Sequence, residues 1–202
     1  MTARNAIRQA GLYGRTVARV APRGLRERGG DPEVATERVV FVVGAAVRAY
    51  PQSTVLHIIR DGRDVVCSLL AKGWLREREG HDDTRKAFGV HPRAWVEPER
   101  RDEFTRAREA ARAAWAWRRY ASAARTAPAH TLEVRYEDVA ADPGAAATLI
   151  AARLETDPGP LAEALAAVHS RSVGRWRRDL TAAQVADVER EAGTLLRVLG
   201  YK

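Results

Sequence analysis

The sequence predicts an α/β fold, with a parallel sheet flanked by helices in three layers. Apolar strand-like runs are few and helical segments are many, as expected when helices cover a sheet. The run Ser53–Ile59 is nearly all apolar, rich in β-branched residues and of strand length. Asp61 and Gly62 follow it almost at once and predict a tight turn into a helix.

The other elements follow from periodicity and from helix-terminus signals. Residues 3–20 have helical spacing and 21–32 form a Gly/Arg-rich connector. The stretch 33–50 contains a strand-like run, but its apolar residues keep helical spacing, and we assign a helix. Further along the chain we predict, in order, a strand over 53–60, a helix over 63–72, a long polar stretch over 73–103, a helix over 106–126, a strand over 131–136, helices over 145–154 and 161–168, and a last helix from a capping box at Thr181–Gln184 to Gly200.

Composition indicates one globular domain over residues 1–202, with 46% hydrophobic and 30% charged residues. There is no apolar run of 18 residues and no secretory signal, so we expect a cytoplasmic protein without a transmembrane segment. The single cysteine, Cys67, cannot form an internal disulfide, and we expect it to be buried. His57 lies in the predicted strand and is expected to point into the core or into a layer above it. The histidines show no metal-ligand spacing, and we expect no metal.

The net charge of +8 raises the question of a nucleic-acid or membrane-surface partner. Arginines between Arg4 and Arg26 fall mostly at helical steps, which also fits a solvated helix face. No zinc-finger, RNA-recognition or helix-turn-helix pattern accompanies them. We therefore do not expect nucleic acid, and the positive balance is expected in part to steer a small anionic ligand.

The most informative segment places an arginine, Arg60, at a strand end and a serine, Ser68, eight residues later. Asp61 can cap the helix that begins near Arg63, and the N–H groups and dipole of its first turn favour an anion. Arg60 adds a guanidinium that can bind bidentately, and Ser68 adds a hydroxyl on the helix face shared with Asp64. This spacing predicts a phosphate-binding site.

Structural explanations of the same residues stay open. Arg60 and Asp61 could form an exposed ion pair worth under about 1 kcal/mol. Ser68 could donate to a carbonyl one turn earlier. Tyr136 could be a core residue with a satisfied hydroxyl, and Trp176 could be a packing anchor between arginines.

The segment Arg60–Ser68, Arg-Asp-Gly-Arg-Asp-Val-Val-Cys-Ser, resembles the 3′-phosphate-binding segment of sulfotransferases that use 3′-phosphoadenosine 5′-phosphosulfate (PAPS). Val134–Pro143 is similar to the family's second signature, a strand that ends in Tyr-Glu-Asp and is followed by a helix. Ser172–Leu180 resembles the glycine–tryptophan stretch that closes over the nucleotide, especially in bacterial members. Three signatures in the family's order make a chance match improbable.

The resemblance implies a PAPS-dependent sulfotransferase of bacterial type with a P-loop-like fold, which transfers a sulfuryl group to a hydroxyl or amine acceptor. It implies cofactor contacts from Arg60, Ser68, Ser172 and Gly174, a contact of Tyr136 with the adenine, and Trp176 nearby. It does not identify the catalytic base. In relatives a His or Glu precedes the 3′-phosphate segment, and Glu33 and Glu37 fall in that stretch, although either could be only a helix-start carboxylate. The polar stretch 73–103 has the length and position of an acceptor-side lid.

One part of the family pattern is not found. Members bind the 5′-phosphosulfate with a Gly-rich turn after the first strand, whereas the glycines of 22–30 follow no apolar strand. The chain thus resembles the C-terminal two-thirds of the family domain. We expect a sulfotransferase or an inactive truncated form whose open strand edge favours self-association. The alternative is a non-catalytic basic protein that binds nucleotide or nucleic acid.

Overall fold

A computed structural model describes residues 41, 43–76 and 88–202. Its helices and strands are, in chain order, α1 (Val43–Ala49), β1 (Val55–Ile59), α2 (Gly62–Lys72), α3 (Arg101–Arg106), α4 (Glu109–Ala124), β2 (Thr131–Arg135), α5 (Tyr136–Ala141), α6 (Pro143–Leu154), α7 (Pro158–Leu165), α8 (Trp176–Asp179) and α9 (Ala182–Val198). Short 3-10 turns lie at Pro98–Arg100, Pro128–His130 and Ser170–Ser172. The described chain forms two compact units. The first contains the residues up to Arg60 with Ala121–Arg171, and the second contains Asp61–Tyr120 with Ser172–Lys202.

The first unit is built on a parallel pair of strands. Val55 lies opposite Thr131 and Ile59 opposite Arg135. All five residues of β1 are buried, which explains why its sequence is a continuous apolar run instead of an alternating one. Helices α5 to α7 supply the rest of this core, which contains Leu56, Ile58, Val134, Tyr136, Val139, Ile150, Leu161 and Leu165. The predicted α/β class with a parallel sheet is confirmed, and the sheet has two strands within the described ranges.

A polar pair links the two strands. His57 on β1 is fully buried, as predicted. Its Nδ1–H donates to Oε2 of Glu133, its register partner on β2, at 3.1 Å. Arg125 Nε lies 3.1 Å from the same oxygen. The hydrogen bond from His57 lowers the pKa of Glu133, burial opposes this, and the charges of His57, Arg125 and Arg135 add to the lowering.

The Glu133 pair should make stability depend on pH in the acid range. Because the folded-state pKa lies below the unfolded-state value, the pair stabilises the fold above the unfolded-state pKa, and this contribution is lost as the pH falls through the folded-state pKa. Thermal melts of the wild type and Glu133→Gln should therefore differ most near pH 7 and converge below about pH 4. Glu99→Gln, at an exposed glutamate, is the control. A difference between wild type and Glu133→Gln that stays constant from pH 7 to 3 would contradict the assignment.

In the second unit, the ends of two helices match their sequence signals. Asp61 caps α2 by accepting from the backbone N–H of Arg63 at 2.9 Å, and α2 ends at Gly73 in the left-handed conformation, with φ 61°. Helix α9 begins with the predicted capping box between Thr181 and Gln184. Cys67 on α2 is buried, as predicted.

Other boundaries differ from the predictions. The strand predicted over 131–136 ends one residue earlier, because Tyr136 opens α5. The helix predicted over 106–126 is α4 alone. The shorter helix α3 precedes it and ends at Arg106, and the extended backbone of Ala107, with ψ 150°, separates the two helices. Of the helix predicted over 33–50, the structure describes residues 41 and 43–50, which contain α1.

The polar stretch 73–103 contains both packed and exposed side chains from residue 88 onwards. Trp95 is 6% exposed, and its ring packs edge-on against Phe104, with 5.5 Å between ring centroids. Glu97 accepts a hydrogen bond from the indole N–H of Trp115 at 2.7 Å. The described half of this stretch thus packs through Trp95 and Glu97, and its role as a lid stays a prediction.

Several predictions concern residues outside those described. They are the N-terminal helix and connector, the candidate bases Glu33 and Glu37, the missing phosphosulfate turn, and residues 77–87 of the predicted lid. The single-domain and self-association predictions also remain predictions. No helix in the described part is both long enough and apolar enough to cross a membrane. The same residues contain no cluster of His, Cys, Asp and Glu that could hold a metal ion.

Candidate functional site

In the first unit, Arg60 and Tyr136 lie together at the carboxyl ends of the two strands. Arg60 directly follows β1, and Tyr136 directly follows β2. Ile59 pairs with Arg135 in a parallel register, so the residues that follow them, Arg60 and Tyr136, lie next to each other. The guanidinium carbon of Arg60 lies 4.5 Å from the centre of the Tyr136 ring, which is within cation–π range.

Both side chains are buried, with 4% of Arg60 and 2% of Tyr136 exposed. The hydroxyl of Tyr136 donates to the carbonyl of His169 at 3.1 Å. Tyr136 therefore has the contacts of a core residue with a satisfied hydroxyl, and its contact with adenine stays a prediction. The explanation of Arg60 as part of an exposed ion pair is wrong, because Arg60 is buried.

In the second unit, Asp61 and Arg63 form a buried ion pair at the start of α2. Nε and Nη2 of Arg63 donate to the Asp61 carboxylate at 3.0 and 2.8 Å. Nη2 of Arg63 also donates to the carbonyl of Lys202 at 2.9 Å. The guanidinium carbon of Arg63 lies 4.1 Å from the centre of the Trp176 ring. Arg63 thus connects the cap of α2 to the glycine–tryptophan segment.

Asp64, one residue further along α2, holds the same segment by its backbone. Its side chain is fully buried. Oδ2 accepts from the N–H of Gly174 at 2.7 Å, and Oδ1 accepts from the N–H of Trp176 at 3.0 Å. One carboxylate therefore joins the first and third sequence signatures, across 110 positions between Asp64 and Gly174.

From the sequence, Asp64 was expected only to share a helix face with Ser68. A signal was present, because a second carboxylate beside a predicted phosphate site would repel the ligand unless other groups neutralised or redirected it. Which groups do so could not be read from the sequence.

The remaining predicted site residues have local roles in the structure. Ser68 on α2 is partly exposed, and its hydroxyl donates to the carbonyl of Asp64 at 3.2 Å, as the structural explanation requires. Ser172 ends a 3-10 turn and is partly exposed. Gly174 has φ +71°, and a Cβ there would lie 3.0 Å from Nη1 of Arg177. The ring of Trp176 is contacted by the guanidinium groups of Arg63 and Arg177.

The structure therefore brings Arg60 to Tyr136, and it brings Gly174 and Trp176 to Asp64. Arg60 belongs to the first unit and Ser68 to the second. The phosphate-binding roles of Arg60, Ser68, Ser172 and Gly174 remain predictions.

The model of the sulfotransferase family matches residues 5–158, well over half of the chain. The matched range contains Arg60, Ser68 and Tyr136 and ends before Ser172. No curated protein and no solved structure matches the chain significantly.

The chain belongs to the sulfotransferase family. Sulfuryl transfer is the activity of this family, and the resemblance seen in the sequence is confirmed at that level. The bacterial type remains a prediction.

Proposed function

We propose that the protein transfers a sulfuryl group from PAPS to a hydroxyl or amine acceptor, and that Arg60 and Ser68 bind the 3′-phosphate of the nucleotide. The observation that carries the proposal is the spacing of an arginine after a buried strand and a serine eight residues later on a capped helix. This spacing falls inside the range that matches the family.

PAPS supplies an activated sulfuryl group on its 5′-phosphate. In the proposed transfer, the acceptor oxygen or nitrogen forms a bond to sulfur while the bond from sulfur to the 5′-phosphate oxygen breaks. The products are the sulfated acceptor and adenosine 3′,5′-bisphosphate, and the acceptor proton passes to a base. The base is not assigned, since the candidates Glu33 and Glu37 lie outside the described residues.

The donor groups on this chain fit an anionic nucleotide. Arg60 offers a planar guanidinium whose orientation is held by the ring of Tyr136. Ser68 offers a partly exposed hydroxyl, which can turn from the carbonyl of Asp64 to a ligand at the cost of a weak bond. Ser172 adds a hydroxyl. Gly174 has no side chain and so leaves its backbone open to a ligand. Such groups position the nucleotide and discriminate it from nucleotides that lack the 3′-phosphate.

The test compares adenosine 3′,5′-bisphosphate with 5′-AMP by calorimetry. The wild type should bind the bisphosphate more tightly, because only this ligand offers a 3′-phosphate to Arg60 and Ser68. Arg60→Ala should cost about 2 kcal/mol, or roughly thirtyfold in affinity for the bisphosphate. Arg60→Lys keeps the charge but loses the bidentate geometry. Its affinity for the bisphosphate should lie between those of the wild type and Arg60→Ala.

Arg153→Ala is the matched control, because it removes one positive charge from an exposed position on α6. It should leave both affinities nearly unchanged and so separates local binding from general attraction by the net charge. Equal binding of the two nucleotides by the wild type would overturn the assignment. Binding of the bisphosphate without sulfuryl transfer to any acceptor in a panel would favour the alternative, a non-catalytic nucleotide-binding protein.

A further inference from the structure

We propose that Asp64 is a positioning residue that fixes the segment 172–176 to the first turn of α2, and that nucleotide affinity depends on this contact. The inference rests on the proposed function, because the ligand concerned is the same nucleotide. Asp64 itself need not contact the ligand, since both of its oxygens already accept backbone N–H groups.

The argument begins with the burial of Asp64. A fully buried carboxylate is costly unless several donors satisfy it. Two backbone N–H groups of one short segment do so here, and a carboxylate is a stronger acceptor for them than a neutral group. Because the donors belong to the main chain, the contact fixes the path of the backbone.

The position of this contact determines what it can control. Both Ser172 and Gly174 are expected to contact the nucleotide. Asp64 binds the N–H of Gly174 itself, and Ser172 lies two residues before it. Ser68 lies one turn after Asp64 on α2, and its hydroxyl bonds to the Asp64 carbonyl. The Asp64 carboxylate therefore sets the separation of Ser68 from the segment that carries Ser172. Errors of about 1 Å in such positioning can cost orders of magnitude in function.

A second set of contacts supports the same segment. The centre of the Trp176 ring lies 4.1 Å from the guanidinium carbon of Arg63 and 4.6 Å from that of Arg177. Arg63 is itself held by the carboxylate of Asp61. With this support the segment is expected to stay near α2 even when the Asp64 contact is weakened, so that loss of the contact should loosen its position without releasing it.

The experiment uses Asp64→Asn, which keeps the shape of the side chain. An amide can accept only one of the two N–H bonds and turns its own NH₂ group towards the other donor. Asp187→Asn is the matched control, because Asp187 is a second buried carboxylate, 2% exposed, whose bonds go to the side chains of Arg108 and Arg190. Two quantities are measured: amide hydrogen exchange of residues 172–178 without ligand, and calorimetric affinity for adenosine 3′,5′-bisphosphate.

In Asp64→Asn, we expect exchange at Gly174 and Trp176 to accelerate and the Kd for the bisphosphate to rise at least about tenfold. Asp187→Asn should change neither quantity, even if it lowers the melting temperature. If Asp64→Asn does not fold, Gly174→Ala disturbs the same contact from the other side, because its Cβ is strained at φ +71°. It should give the same two effects.

Unchanged exchange in the variant would overturn the anchoring role. Faster exchange with an unchanged Kd would also overturn the inference, since the contact would then be structural only. A wild type that binds no bisphosphate would overturn the proposed function and the inference with it, and this outcome is distinguishable because it appears before any substitution is made.

Discussion

The Gly62→Ala variant should lose about 3 kcal/mol of stability and melt roughly 6–12 °C below the wild type. Gly62 opens α2, and a Cβ at this position would lie 2.6 Å from Cδ2 and Cε3 of Trp117. These are atoms of a rigid indole that is 6% exposed, so the ring has little room to move. One added methyl group therefore forces either the start of α2 or the indole on α4 to shift.

Gly144→Ala is the control for this substitution. Gly144 lies in the first turn of α6, and a Cβ there meets only Oδ1 of Asp142, at 3.5 Å. The change should raise the melting temperature slightly, since alanine favours the helix and restricts the unfolded chain. In a Trp117→Leu background, Gly62→Ala should cost less stability than it does in the wild type. A Gly62→Ala protein that melts like the wild type would show that the close approach does not exist in solution.

Local signals predicted the parts of the site that neighbouring residues determine. The buried strand, the Asp61 cap and the start of α2 all follow from interactions within a few residues of Gly62, so propensity and capping chemistry were sufficient. The capping box of α9 was predictable for the same reason. Tyr136 was identified through the resemblance of Val134–Pro143 to a family signature, but its position beside Arg60 depends on the register of the two strands.

Long-range contacts set the limit of prediction from the sequence. The bonds of Asp64 join residues 110 positions apart, and no periodicity or local motif encodes such a pairing. The stretch 73–103 was predicted to be a lid from its length, its polarity and its position after α2. In its described half, the structure satisfies Glu97 through hydrogen bonds from Trp115 and Arg118 and packs Trp95 among aromatic rings. A polar sequence can thus be packed when its charges find partners on distant helices.

Tyr136→Ala should be the most destabilising substitution at the site, with a loss of about 3–5 kcal/mol. The side chain is 2% exposed and belongs to the core formed by β1, β2 and helices α5 to α7. Tyr136→Phe retains the ring and loses only the hydrogen bond to the carbonyl of His169, so it should cost about 1 kcal/mol. Urea unfolding of the three proteins measures both differences. Equal losses for the two variants would mean that the hydroxyl, and not the packed ring, carries the contribution.

Substitutions of Tyr136 can also show whether its ring supports Arg60 or contacts the nucleotide directly. Tyr136→Leu fills part of the volume but removes the aromatic face that lies 4.5 Å from the Arg60 guanidinium. It should weaken binding of adenosine 3′,5′-bisphosphate roughly three- to tenfold, whereas Tyr136→Phe should bind it like the wild type. In an Arg60→Ala background the Tyr136→Leu change should have no further effect, because the ring would then have no guanidinium to hold. If Tyr136→Leu still weakened binding in that background, the ring would contact the ligand itself, and the adenine contact inferred from the sequence would be supported instead.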